Sequence, residues 1–357
     1  MTDSVPPINK RRQRSKHCAD GNRRQLKSDT LSDSDDALIA SRIVRYGDLA
    51  IAEQIEMFAC DARDVVFRLA EHESRAEKLA ALQALLGKHA ECIGIPTPVA
   101  CSEGSVFESG ARALLAEHES AVFSRGHWAI IVKATRLDMD FVSLAECARF
   151  ANTIYHELRH AEQAFRVAQW RVEKTNSKRD LIVQQLRDEL GLSEVIARAV
   201  LTTSIRHSTQ WERTHPMSST ANTSLDEITH WAAEILPRDD GVCVSVAASR
   251  ALAERHAEYM ACAQELVKGY AEFRACNSAR QWLVKPRVDK NGRAFRHAEE
   301  QLQQAFQIYA SLAVERDAWS VGAAVERRLN PSGEIHSVEG ELEKLLQNAA
   351  DWLLDAG

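Results

Sequence analysis

His156 and His160 stand four residues apart in "YHELRHAEQ" (155–163), and Glu157 directly follows the first of them. In an α-helix, residues i and i+4 lie about 40° apart around the axis, so the two imidazoles project side by side and can ligate one zinc ion. Glu157, adjacent to the first ligand, is placed to hold a water and act as general base rather than as a ligand.

A catalytic zinc usually takes three protein ligands and one water, so a third donor is required. The best candidate lies in "YASLAVERDAWSVG" (309–322). On a continuous helix Glu315 shares a face with Ile308, Leu312, Ala318, Trp319 and Gly322, where a carboxylate is costly to bury without a cation or donors. Asp317 projects about 200° away from it, so only one of the two faces the metal, and Glu315 is chosen. Arg159, Gln163 and Asp317 are the candidates for groups around the ligands that orient them. His256 and Glu258 in "ERHAEYM" are weaker donors, and His127 and His297 have no partner at metal spacing. Cys147 reads as a small hydrophobe rather than a nucleophile. The chain contains no P-loop, dinucleotide glycine motif or G-x-S-x-G.

The elements that must position these residues are mostly helices. "SLAE" (143–146) is a capping box that opens a helix running to about Glu173. Its residues Leu144, Cys147, Ala151, Ile154, Tyr155, Leu158, Phe165 and Val172 form one apolar stripe, with His156 and His160 on the opposite side beside Thr153 and Gln163. Long amphipathic helices are predicted from residue 37 to about 90, a break at 92–105, and a short helix over "VFESGARALLAEHESAVF" (106–123). "HWAIIVKATR" (127–136) is the best strand candidate, with no partner evident. Further on, the pattern predicts helices at roughly 244–285, 293–328 and 337–354. The domains expected are a disordered basic tail (1–36), a helical region (37–125), a catalytic domain (126–328) with a helical insertion at about 174–295, and a C-terminal helix (329–357).

Length and composition agree with this picture. A chain of 357 residues, 45% hydrophobic and poor in Gly and Pro, can bury a sizeable core without metal or disulfide staples. The eight cysteines form no CxxC pair and no framework spacing, and read as reduced thiols. The N-terminus lacks the apolar stretch of a secretory signal, and no stretch is apolar enough for a membrane span. The expectation is synthesis in a reducing compartment without a signal peptide. A net charge of −6 argues against general nucleic-acid binding, although residues 10–27 form a basic island.

"SLAECARFANTIYHELRHAEQAFR", followed much later by "YASLAVERDAWSVG", resembles the gluzincin-like zinc metallopeptidase domains found as toxin modules in bacterial polymorphic toxins and type VI secretion effectors. The resemblance implies a mainly α (α+β) fold with a zincin-like core, zinc on His156, His160 and Glu315, and Glu157 as base. It implies hydrolysis of peptide bonds, with substrate backbone paired to the strand at 129–133. It also implies synthesis in the bacterial cytoplasm, and leaves room for an immunity or inhibitor protein as partner and for delivery to a target cell by a specialised secretion system. Two readings compete with it: a non-enzymatic helical interaction protein, and a zinc hydrolase acting on a non-peptide amide or ester.

Overall fold

Ser143 and Glu146 start the histidine-bearing helix as their spacing predicts. The Ser143 hydroxyl accepts from the Glu146 N–H, and the Glu146 carboxylate accepts from the Ser143 N–H at 3.1 Å. Such a cap contributes about 1 kcal/mol to the helix end. The computed structural model describes residues 48–355 except 70–73, 108–109, 114, 116–118, 139–142, 176, 204–224, 279–284 and 334–337, so the basic tail lies outside the described residues. The chain runs through α1 (Ala52–Arg68), α2 (Arg75–Ile93), β1 (Val99–Ser102), β2 (Ala121–Ser124), β3 (Ala129–Val132), α3 (Ala134–Asp138) and α4 (Leu144–Lys174). It continues through α5 (Arg179–Leu190), α6 (Glu194–Thr202), α7 (Leu225–Ile235), α8 (Val244–Ser278), α9 (Lys285–Ser311), α10 (Ala313–Leu329) and α11 (Val338–Asp355). The fold is mainly helical with one small sheet.

The predicted strand is β3, and its partners lie on both sides. The strand order is β1-β3-β2, with β1 parallel and β2 antiparallel to β3. Residues 121–123 therefore belong to a strand, and the helix expected over 106–123 is corrected: Gly110 turns the chain at φ 79°, and Val106 bridges Arg112. A glycine inside a helix costs about 1 kcal/mol, whereas here it supplies a backbone conformation other residues avoid. The outer edge of β1 is closed by Gln83, which accepts from the Ala100 N–H at 2.7 Å and donates to the Pro98 carbonyl at 3.1 Å. The outer edge of β2 faces a cleft.

α4 is surrounded by α1, α7, α10 and β2 rather than lying on the surface. Its polar side, expected to be opposite a single apolar stripe, is buried as well: His156 and Glu157 are each 7% exposed, Arg159 is 1% and Gln163 is 0%. Burial is tolerated because Arg159 and Gln163 find partners across the helix interface. Where α10 crosses α4, Gly322 lies so close to Asn152 that a Cβ there would sit 2.1 Å from Asn152 Oδ1 and 3.1 Å from its carbonyl oxygen. One turn further on, the Asn152 amide donates to Glu326 at 2.7 Å.

The single helix predicted over 293–328 is two helices. The backbone at Leu312 is extended (φ −59°, ψ 139°), which ends α9 and makes Leu312 the N-cap of α10. The Glu234 carboxylate, from α7, accepts from the Ala313 and Val314 N–H groups at 2.9 and 3.1 Å and satisfies the new helix start. Ile308, expected to share a face with Glu315, is consequently 61% exposed. α5, α6 and α7 join the main core with α4, whereas α8, α9 and α11 build a second core around Tyr259, Leu302, Phe306 and Leu345.

Candidate metal centre

Three donor atoms from two helices converge. His156 and His160 come from the middle of α4, and Glu315 from the first turn of α10, held in register by the Glu234 cap and the close crossing at Gly322. The two Nε2 atoms are 3.0 Å apart, and Glu315 Oε2 lies 3.7 Å from His156 Nε2 and 3.5 Å from His160 Nε2. Donors around a tetrahedral zinc, at bonds of about 2.05 Å, are separated by roughly 3.3 Å, so these spacings bracket what a cation needs. Glu315 Oε2 is buried and has no hydrogen-bond partner. The triad predicted from spacing is the buried cluster among the described residues that could hold a metal ion.

The electrostatics favour a positive charge at this point. Burial works to raise the Glu315 carboxyl, yet the His160 and His156 imidazoles outweigh it and hold the group well below the usual carboxylate range. Burial likewise works to lower His160, but the Glu315 carboxylate overrides it and lifts the imidazole to about 9. A carboxylate and two imidazoles crowded this closely bind a proton or a cation between them.

Gln163 decides which nitrogen of His160 points inward. Its Nε2 donates to the Val314 carbonyl at 2.9 Å and to Asp317 Oδ2 at 2.7 Å, so its oxygen must face His160 Nδ1, 2.8 Å away. Nδ1 therefore carries the proton, and the Nε2 lone pair is left for a metal. Asp317 stays off the centre, as the helix geometry predicts, and accepts from Arg159 Nε at 2.7 Å. Arg159 also donates to Asp48 at 2.5 Å and Glu162 at 2.6 Å, and lies over the Trp231 ring at 5.1 Å. Glu162 in turn accepts from the Leu49 N–H at 3.2 Å, and the Tyr155 hydroxyl donates to the Leu49 carbonyl at 2.8 Å. Sequence reasoning found Arg159, Gln163 and Asp317 but missed Asp48, Glu162 and Glu234, for which neither spacing nor composition gives a signal.

Glu157 is buried beside the triad without joining it. Its Oε2 accepts from the Phe123 N–H of β2 at 2.7 Å, and its Oε1 lies 4.0 Å from His156 Nε2. Burial raises its pKa, partly offset by the two imidazoles. The other sequence candidates lie elsewhere. His256 is buried in α8, Glu258 pairs with Arg255 at 2.6 Å, and His127 stacks on Phe107 at 3.9 Å. His297 sits beside Gln301, and Cys147 is a buried thiol whose pKa burial raises.

A cleft of about 540 Å³ opens over the centre. Ser120 and residues 121–123 of β2 form one side, the triad and Glu157 the floor, and Ser249 of α8 with Leu252, Phe306 and Leu345 of the second core the facing wall. Comparison with protein-family models, curated proteins and solved structures returned no match to this chain.

Proposed function

We propose that the protein is a zinc-dependent metallopeptidase. The observation that carries this reading is the joint placement of Glu157: its carboxylate lies next to the three convergent donors and is anchored to the backbone of a strand whose free edge lines the cleft. Two imidazoles and one carboxylate are a donor set suited to zinc. When bound, zinc supplies Lewis acidity that lowers the pKa of a water and polarises a carbonyl.

The chain's own groups would do the rest. Glu157 Oε1 is free to take a proton from the attacking water and return it to the leaving amine. An extended substrate would pair with β2 rather than with β3, because β3 has neighbours on both sides. The Phe123 N–H points away from β3, as alternate groups of an antiparallel strand do, and it steers Glu157 toward the same edge.

Zinc stoichiometry measured together with proteolysis of unfolded casein tests the proposal. The expected result is one zinc per chain, lost in His156→Ala and Glu315→Ala, with cleavage abolished in Glu157→Gln while its zinc remains. Cleavage that persists in Glu157→Gln would overturn the mechanism, and a zinc-free wild type after repletion would favour the interaction-protein reading. Zinc with no proteolysis, but turnover of a small amide or ester, would favour the non-peptide hydrolase. An inhibitor protein encoded beside this one would support a role as a bacterial effector.

A further inference from the structure

Arg125 follows β2 at the point where the strand leaves the metal centre, and its half-buried side chain lines the cleft. One of its five N–H donors has an oxygen partner: Nη1 donates to the carbonyl of Ile235, the last residue of α7, at 3.2 Å. Nη2 lies 4.0 Å from Cys243 Sγ, a weak acceptor. No carboxylate among the described residues lies within ion-pair distance of it. A helix-end carbonyl fixes the orientation of such a guanidinium and offsets part of its charge, but supplies no full counter-charge.

The surroundings extend the pattern. Arg250, on α8 across the cleft, is a second lining guanidinium without an ion pair among the described residues. At the opposite end of β2 the lining group is Glu119. Glu341 lines the cleft as well, so carboxylates and guanidiniums both face it outside the metal centre.

We propose that Arg125 is a specificity-determining residue that binds a substrate carboxylate, so that the protein acts on peptides carrying an anionic group close to the bond it cleaves. The inference rests on the peptidase reading above. Phe123, whose N–H holds Glu157, precedes Arg125 by two residues, roughly 6–7 Å along an extended chain. A substrate paired with β2 then sets a group about two residues from the scissile bond against the guanidinium. Both an Asp or Glu side chain and a free C-terminal carboxylate have this chemistry, and Arg binds either bidentately.

The test uses the full-length zinc-loaded protein and a degenerate decapeptide mixture, made once with a free C-terminal carboxylate and once with a C-terminal amide. Cleavage sites and rates are read by mass spectrometry. Wild type is expected to favour peptides with Asp or Glu within about two residues on one side of the cut, in both forms; preference confined to the free-acid form would identify the terminal carboxylate as the ligand. Arg125→Gln is expected to reduce the ratio of anionic to neutral cleavage about tenfold, the worth of one charged hydrogen bond, and Arg125→Lys to retain part of it. The ratio is internal to each variant, so partial unfolding does not mimic the effect. Cleavage with no anionic preference, or a preference that survives Arg125→Gln, overturns this inference alone. No cleavage of either mixture overturns the peptidase reading and this inference with it.

Discussion

Gln163 Oε1 lies 2.8 Å from His160 Nδ1, and because both other contacts of the amide are made by its nitrogen, the imidazole can present only Nε2 to the centre. Replacing Gln163 by Leu removes the acceptor and lets the ring turn. Chelator competition should show zinc binding about 10- to 100-fold weaker, while stoichiometry at saturating zinc stays at one. Unchanged affinity would mean that the ring is held by packing alone.

Arg159 is the cation shared by Asp48, Glu162 and Asp317, and among the described residues Arg166, 3.5 Å from Glu162, adds further positive charge to this network. Arg159→Met should cost about 3–5 kcal/mol in urea unfolding, since it strands buried carboxylates. Asp48→Asn, which removes one of the three negative charges but keeps an oxygen that can accept from Arg159, should cost clearly less. Equal losses in the two variants would show that the network is not centred on the guanidinium.

At Gly322 a methyl group would meet the Asn152 side chain and press on its backbone oxygen. Gly322→Ala should destabilise by about 1–3 kcal/mol. Because α10 also carries Glu315, the same variant should bind zinc more weakly. Asn152→Ala removes the side-chain clash but also the donor to Glu326, so the fair comparison is within that background, where Gly322→Ala should cost less than in wild type, the remainder being the 3.1 Å approach to the carbonyl. A variant as stable as wild type would place the crossing elsewhere.

His89 supplies a pH dependence away from the candidate metal centre. Burial holds its imidazole below its ordinary value, against the pull of the Asp61 carboxylate 2.9 Å away. Once the pH falls below about 6.5, the unfolded chain takes up a proton that the folded one does not. Stability therefore drops as pH falls from there, until the folded imidazole also protonates. Unfolding free energies of wild type and His89→Gln, compared between pH 7.5 and 5.5, should diverge, with the variant flatter. Parallel curves would remove His89 from the account.

The parts of this molecule legible in its sequence are those set by neighbours a few residues apart. The Ser143 capping box, the i, i+4 histidines and the position of Glu157 all follow from helix geometry. Glu315 could be chosen because a carboxylate among apolar residues needs a reason, even though the face ascribed to it was drawn on a helix that breaks at Leu312. What was not legible depends on encounters between distant segments. The partners of β3 come from either side of a turn-rich stretch with no strong alternation, Glu234 caps a helix 79 residues away, and Asp48 meets Arg159 across 111 residues. The burial of the polar face of α4 escaped for the same reason: periodicity reveals which residues share a side, but not whether another helix will cover it.

Of the two outer edges of the sheet, Gln83 seals that of β1, while that of β2 lies recessed beneath the wall formed by α8, α9 and α11. An open strand edge on a protein surface invites the sheets of other molecules to add to it. On the metallopeptidase reading, a β2 edge set in a cleft rather than on an open surface would favour a single extended segment over a sheet as what pairs beside Glu157.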